Sequence, residues 1–295
     1  MPEDMCTVLM NRILPSEKVL AVTPMKKGLT NDSFRVETNG GDYVLRLNGI
    51  GTEELVNRSA EEVTYAVIGA HGFGETLLKI SAREGYKLTK YMPDIRNVNP
   101  ADWKDVGLAL GELRRLHEAG LSVPHKYDVF DEIYRYEQLV RKTDMSYDRT
   151  LSASICDLRD FLKAQEKPFV LTHIDAIPDN FLLDAENHVT LIDWEYAAMA
   201  DPDWDLAMFA IYSGYKEREV KQLIALYMRQ SENDVEEAFL HKIYAMMAAA
   251  GYLWGVWCTY KHSMGVMFRE YEKKQYAYAR KYSEKVRAYV EESHV

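Results

Sequence analysis

The sequence predicts an α+β fold in two parts: a small N-terminal lobe built on an antiparallel sheet, and a larger, mainly helical C-terminal lobe. Three observations predict it. Hairpin signals, not crossover lengths, join the strands of the first ninety residues. Met92-Pro93-Asp94 then breaks the pattern. From there to the C-terminus almost every segment spaces its apolar residues as a helix does. The expected boundary therefore separates 1–92 from 93–295. A chain of 295 residues can bury a core that needs no metal or disulfide staple.

Residues 3–14 set Met5, Leu9 and Ile13 at helical spacing. Val19–Pro24 and Ser33–Thr38 read as strands around the turn-rich segment 27–32. Asn39-Gly40-Gly41-Asp42 is a hairpin signal, and Tyr43–Leu47 follows as an alternating strand. Residues 53–69 read as a helix carrying Arg58, Glu61 and Glu62, with Gly72-Phe73-Gly74 as the turn after it. Leu77–Ile80 and Tyr86–Tyr91 complete the strands. Beyond the boundary, 101–119 place Val106, Leu110, Leu113 and Leu116 on one stripe, and Gly120 suits the end of that helix. Further helices are predicted over 130–142, 152–166, 204–214, 216–230, 234–262 and 268–291, and strands within 169–193.

Composition excludes several classes. Acidic residues number 46 and basic residues 36, a net charge of −10, which is the wrong sign for a general nucleic-acid binder. Cys6, Cys156 and Cys258 are far apart and form no CxxC or Cys/His spacing, so neither a disulfide framework nor a zinc module is expected. The N-terminus lacks a basic region followed by an apolar run, and no stretch approaches the ~20 apolar residues of a membrane span. The expectation is a cytoplasmic protein with no membrane, nucleic-acid or obligate protein partner.

The segment 171–207 carries the chemistry. His173-x-Asp175 is followed by Asn180, then by the apolar stretches Phe181–Leu183 and Val189–Ile192, and then by Asp193. A hairpin about residues 186–187 brings positions 180 and 193 to one end, with Asp175 on the entering loop. Oxygen donors of this kind suit a hard cation such as Mg²⁺. The spacing is the kinase arrangement of a base and two metal ligands. Asp and Asn are also ordinary turn and cap residues, so any one of them says little; the ordered set before two apolar strands says more.

On these residues the chain resembles the choline/ethanolamine kinase family, particularly bacterial LicA-type choline kinases. That family shares a protein-kinase-like fold with the aminoglycoside phosphotransferases. Gly28-Leu29-Thr30-Asn31, Tyr43–Arg46, the stretch from Gly51-Thr52 to Asn57-Arg58, Leu191–Tyr196, Asp201–Ala207 and Leu253-Trp254-Gly255-Val256-Trp257 extend the resemblance over nearly the whole chain. It implies a bilobal kinase-like fold and ATP-dependent phosphorylation of the choline hydroxyl. In that reading Asp175 is the catalytic base, and Asn180 and Asp193 hold Mg²⁺. Arg46 binds phosphate, paired with Glu61 or its neighbour Glu62. Thr30 and Asn31 cover the phosphates, and adenine rests against Lys90-Tyr91-Met92. Trp254, Trp257, Tyr276, Glu195 and Tyr196 would recognise choline, with Tyr212 and Tyr215 behind them. His173 and Asp205 brace the catalytic loop. Two features depart from better-known nucleotide sites: there is no GxGxxG and no GxxxxGK[ST], and Lys27 stands where the family often has a second glycine. The alternatives are a kinase for ethanolamine, a small sugar or an aminoglycoside, and a nucleotide-binding regulator without turnover.

Overall fold

The computed structural model describes residues 2–25, 31–49 and 52–293. Its chain divides into two compact units, Met1–Arg96 with Leu182–Tyr196, and Asn97–Phe181 with Ala197–Val295. The linear division at residue 92 does not contain this return of Leu182–Tyr196 to the first unit. Long-range contacts decide it: Trp194 is fully buried, and its indole nitrogen lies so near Gly74 that a Cβ there would come within 3.1 Å.

The first unit begins with helix α1 (Pro2–Ile13), followed by strands β1 (Val19–Pro24), β2 (Asn31–Thr38) and β3 (Asp42–Asn48), helix α2 (Arg58–Gly69), and strands β4 (Leu77–Ser81) and β5 (Tyr86–Lys90). The strands form one sheet in the order β1-β2-β3-β5-β4, antiparallel at every pairing. Successive strand residues point to opposite faces. Phe34, Val36, Tyr43, Leu45 and Leu88 therefore share a core with Cys6 and Met10 of α1, and Arg46 projects from the other face. Helix α2 starts at Arg58, not at residue 53. Asn57 caps it by accepting a hydrogen bond from the Ala60 amide (3.1 Å), and residues 53–55 form a turn. Gly72 and Gly74 both have φ above +70°, so the segment after α2 is the expected turn.

Strand β6 (Arg96–Asn97) lies where the units exchange chain. Then come helices α3 (Trp103–Glu118), α4 (Val129–Arg141), α5 (Arg149–Cys156) and α6 (Leu158–Lys163), and strands β7 (Val170–Thr172), β8 (Phe181–Leu183), β9 (Val189–Leu191) and β10 (Ala198–Ala200). Helices α7 (Asp203–Ser213), α8 (Glu217–Met228), α9 (Glu237–Ser263) and α10 (Arg269–Ser293) follow. The single helix predicted over 152–166 is two helices. Asp148 moves the start forward by accepting from the Thr150 and Leu151 amides, both at 3.0 Å. Strand β10, which pairs antiparallel with β7, was not predicted: Ala-Met-Ala has neither alternation nor a β-branched residue.

Helix α9 is buried from Lys242 to Lys261, on all sides, as a helix at the centre of a helical layer must be. Helix α10 packs along it so closely that a Cβ on Gly251 would meet the Gln275 carbonyl oxygen at 2.8 Å. No helix among the described residues is long and apolar enough to cross a membrane.

Candidate active site

In the first unit, the face of β3 away from the core carries a buried cluster of ion pairs. Arg46 donates from Nη2 to Glu61 (2.7 Å) and from Nη1 to Asp193 (3.0 Å), and Nη1 also lies 3.5 Å from Glu195. A second arginine completes the cluster. Arg58 donates from Nη1 to Glu195 (2.7 Å) and Glu61 (3.0 Å), and from Nη2 to the Asn31 amide oxygen (2.8 Å). Asn31 donates in turn to Glu195 (2.8 Å). The helical phase of α2 decides between the adjacent glutamates: Glu61 faces Arg46, whereas Glu62 is exposed and accepts from the Ala82 amide.

Burial opposes the charge on Arg46, but Glu61, Glu195 and Asp193 hold its pKa well above the usual value. Burial alone would raise Glu61. Arg46, Lys87 and Arg58 outweigh it and lower that carboxyl to about 2. Glu195 is pushed up, first by burial and then by Asp193. Asp193 is the exposed member, with 34% of its side chain open. It sits at φ +66°, a left-handed conformation uncommon for residues other than glycine and frequent at functional sites. The carboxylates of Glu61, Asp193 and Glu195 each bring an oxygen within 4.8 Å of the others; with Glu61 and Glu195 engaged by the arginines, Asp193 is the one open to a hard cation.

In the second unit, Asp175 and Asn180 occupy the loop between β7 and β8. Asn180 donates from Nδ2 to the Asp175 carbonyl (2.8 Å) and carboxylate (3.2 Å), which leaves its amide oxygen as the end suited to a cation. The loop hangs on Asp205 at the start of α7. This fully buried carboxylate accepts from the amides of His173 (3.0 Å) and Ile174 (2.7 Å). His117 Nε2 is 2.9 Å from Asp205, and its Nδ1 is 2.6 Å from the Tyr227 hydroxyl. Donation from Nε2 and acceptance at Nδ1 satisfies both contacts. Ile174 has φ +71°, a strained state for a β-branched residue, and the Asp205 bonds hold it there. The bracing role expected of Asp205 thus has a geometric basis. His117, to which the sequence assigned nothing, belongs to the same brace.

The aromatic side chains sort differently from expectation. Trp254 and Trp257 are both buried, with rings 6.1 Å apart and edge to face. Trp254 lines a cavity of about 10 Å³ behind the loop, with Tyr127, Ile174 and Trp204, and Trp257 stacks on Phe268 at 5.5 Å. Tyr276 does not join them. It packs over Gly255, bonds Thr259 (3.0 Å) and meets Tyr252, which is the opposite face of α9 at 100° per residue. Three tyrosines outside the principal expected set lie in the field of Asp175 instead. Burial first, and the Asp175 charge among the further causes, raise the phenol pKa of Tyr127, Tyr212 and Tyr271. Tyr212 and Tyr271 touch through their hydroxyls, with rings 5.9 Å apart. Tyr215 stacks on Trp103 (5.4 Å) and bonds the Pro100 carbonyl.

Further expected site residues have partners in the structure. Glu195, expected beside the acceptor, is engaged by Arg58 and Asn31, because its own unit surrounds it with cations. The amides of Lys90 and Tyr91 donate to the Thr76 and Asp42 carbonyls; Met92 is half-buried just beyond the end of β5. The Asn31 side chain is turned into the ion-pair cluster. Thr30 lies outside the described residues, and Tyr196 is half-buried at the end of the first unit.

Comparison with known proteins follows the same lines. Residues 21–239 match the model of the phosphotransferase enzyme family. Protein LicA of Haemophilus influenzae is 25% identical over 261 residues, covering 84% of this chain and 76% of that protein. A probable ethanolamine kinase of Arabidopsis thaliana is 25% identical over 290 residues, covering 86% and 76%. Among solved structures, the choline kinase LicA from Streptococcus pneumoniae superposes with a TM-score of 0.84 at 24% identity, covering 96% of this chain and 99% of that one. LicA in complex with AMP gives 0.83 at 24%, covering 97% and 99%. The α+β fold expected from the sequence is the fold of these kinases.

Proposed function

The chain belongs to the phosphotransferase enzyme family, and from that premise we propose that it is an ATP-dependent choline kinase. The observation that carries the reading is the buried pair of Arg46 on a central strand with Glu61 on the following helix, joined to Asp193. A basic strand residue locked to a helix carboxylate is the part that clamps nucleotide phosphates in kinases, and a guanidinium fork suits phosphate geometry. The similarity to LicA choline kinase and to the AMP complex of LicA supports choline and ATP as the substrates. Mg²⁺, for which Asp193 and Asn180 are the proposed ligands, supplies charge neutralisation on the phosphates when bound with the nucleotide.

Asp175 orients the choline hydroxyl and accepts its proton as the oxygen attacks the γ-phosphorus. The bond to the β–γ bridging oxygen breaks, and ADP leaves with the electron pair. Little covalent work falls to the protein, so the rate comes from positioning and electrostatics. A quaternary ammonium has no N–H to donate and is held by aromatic faces and nearby negative charge, at about 0.5–2 kcal/mol per ring. Tyr212 and Tyr271, whose phenols feel the Asp175 charge, are the proposed faces; Trp254 lies behind the loop with Ile174. The Arabidopsis relative keeps ethanolamine as a second reading, because the same negative field attracts a primary ammonium.

The direct test is product identification with Asp175→Asn alongside the wild-type protein. Wild type is expected to convert choline and Mg²⁺-ATP into phosphocholine. The variant is expected to bind nucleotide within about threefold of wild type and to lose ~10³-fold in kcat, within the range of general-base catalysis. A variant that turns over at the wild-type rate removes Asp175 from the chemistry.

A further inference from the structure

The kinase reading does not use the second arginine of the cluster. Arg58 reaches Glu195, Glu61 and Asn31 at 2.7–3.0 Å with 10% of its side chain exposed. Arg46 shares Glu61, lies 3.5 Å from Glu195, and sends Nη1 at 3.0 Å to Asp193, the exposed carboxylate. Two guanidiniums facing three carboxylates leave one net negative charge in a sealed cluster whose open side is Asp193. If phosphate is to engage Arg46, and a cation Asp193, the contact between these two must loosen. Glu61 and Glu195 are 1% and 2% exposed at their side chains, and a shift of Arg46 toward phosphate weakens its hold on both. An uncompensated buried carboxylate is strongly destabilising. Arg58 already satisfies both.

We propose that Arg58 is a positioning residue: it neutralises Glu195 and Glu61 and anchors Asn31, so that Arg46 is free to exchange Asp193 for the phosphates of an incoming Mg²⁺-nucleotide. The division of labour is a fixed arginine and an exchangeable one. Without Arg58 the cluster carries two net negative charges, and Arg46, already bonded to Glu61 and 3.5 Å from Glu195, is the one guanidinium left to hold both. Two consequences have opposite sign. A bare divalent cation gains affinity for the more negative cluster, and a nucleotide loses affinity because its arginine is occupied. A loosened or partly unfolded protein would lose both.

The inference rests on the nucleotide-binding reading, and the test separates the two. Mn²⁺ alone is titrated by electron paramagnetic resonance, and the Mg²⁺ complex of a non-hydrolysable ATP analogue by calorimetry. The proteins are wild type, Arg58→Gln, Arg58→Lys and the double variant Arg58→Gln/Glu195→Gln. Arg58→Gln is expected to bind Mn²⁺ about threefold or more tightly and the nucleotide at least tenfold more weakly. Arg58→Lys should fall between it and wild type, because lysine keeps the charge and loses the fork. The double variant removes one charge of each sign and should return nucleotide affinity to within about threefold of wild type. Both affinities unchanged in Arg58→Gln, or both weakened without recovery in the double variant, would overturn the proposal. A wild-type protein that binds no Mg²⁺-nucleotide would overturn the kinase reading itself.

Discussion

Asp205→Asn is the substitution that asks most of the structure. The native carboxylate accepts from two buried peptide amides, at 3.0 and 2.7 Å, and contacts His117 at 2.9 Å. Asparagine keeps the shape but has one acceptor oxygen and turns an NH₂ toward a donor. At least one buried N–H then loses its acceptor, at a cost of about 1–3 kcal/mol. Ile174 works the other way: its left-handed backbone is a strain of about 1–3 kcal/mol that the wild type already carries, and its release as the loop relaxes offsets part of that cost. The expected loss of stability is therefore ~1–3 kcal/mol, a noticeable share of the 5–15 kcal/mol typical of folded proteins. The loop that relaxes is the one bearing Asp175, and a 1 Å misplacement of a reacting group costs roughly 10²-fold. Urea midpoints report the first effect, and kcat at saturating nucleotide and choline reports the second. Both should fall together, with nucleotide affinity retained. An Asp205→Asn protein with the wild-type midpoint and kcat within threefold would show that the loop does not depend on this brace.

Two other expectations test packing and the acceptor pocket. Gly251→Ala and Gly111→Ala are the same change in two helices, and the space around them sets opposite signs. A Cβ at Gly251 meets the Gln275 carbonyl oxygen at 2.8 Å and the Ala279 nitrogen at 3.2 Å, whereas one at Gly111 meets nothing within 4 Å. Gly111→Ala should gain ~0.5–1 kcal/mol from helix propensity; Gly251→Ala should lose ~1–2 kcal/mol net, because backbone atoms cannot swing aside. Equal shifts in the denaturation midpoints would contradict this account of the α9–α10 packing. Tyr271→Leu should raise the choline KM about tenfold and leave the nucleotide KM alone, and an unchanged choline KM would remove Tyr271 from the pocket.

Local chemistry wrote much of this molecule into the sequence. The hairpin residues Asn39–Asp42, the alternation of β3 and the stripe on α3 each specify an element without help from elsewhere. The closeness of Asp175 and Asn180 was legible because they lie five residues apart on one loop between two short strands. Partners distant in sequence were not legible. Nothing in Asn57-Arg58 announces that its arginine reaches Glu195, 137 positions on, and nothing near His117 announces Asp205. The grouping of the aromatic residues was not legible for the converse reason. Trp254 and Trp257 share a helical stripe, but a helix buried on every side offers such a stripe to the core as readily as to a ligand. Tyr276 lies on the opposite face of α9, since Gly255 and Thr259 face away from the tryptophans. Helix 53–69 was drawn too long because Asn57 ends the turn before it as decisively as it starts α2.

The measurement that bears most directly on the central claim is ADP release from Mg²⁺-ATP, followed with choline, ethanolamine and an aminoglycoside at equal concentrations. The account predicts rapid release that depends on choline, with slower turnover of ethanolamine and none above background for the aminoglycoside. Release that no amino alcohol stimulates, or stimulation by the aminoglycoside alone, would contradict it.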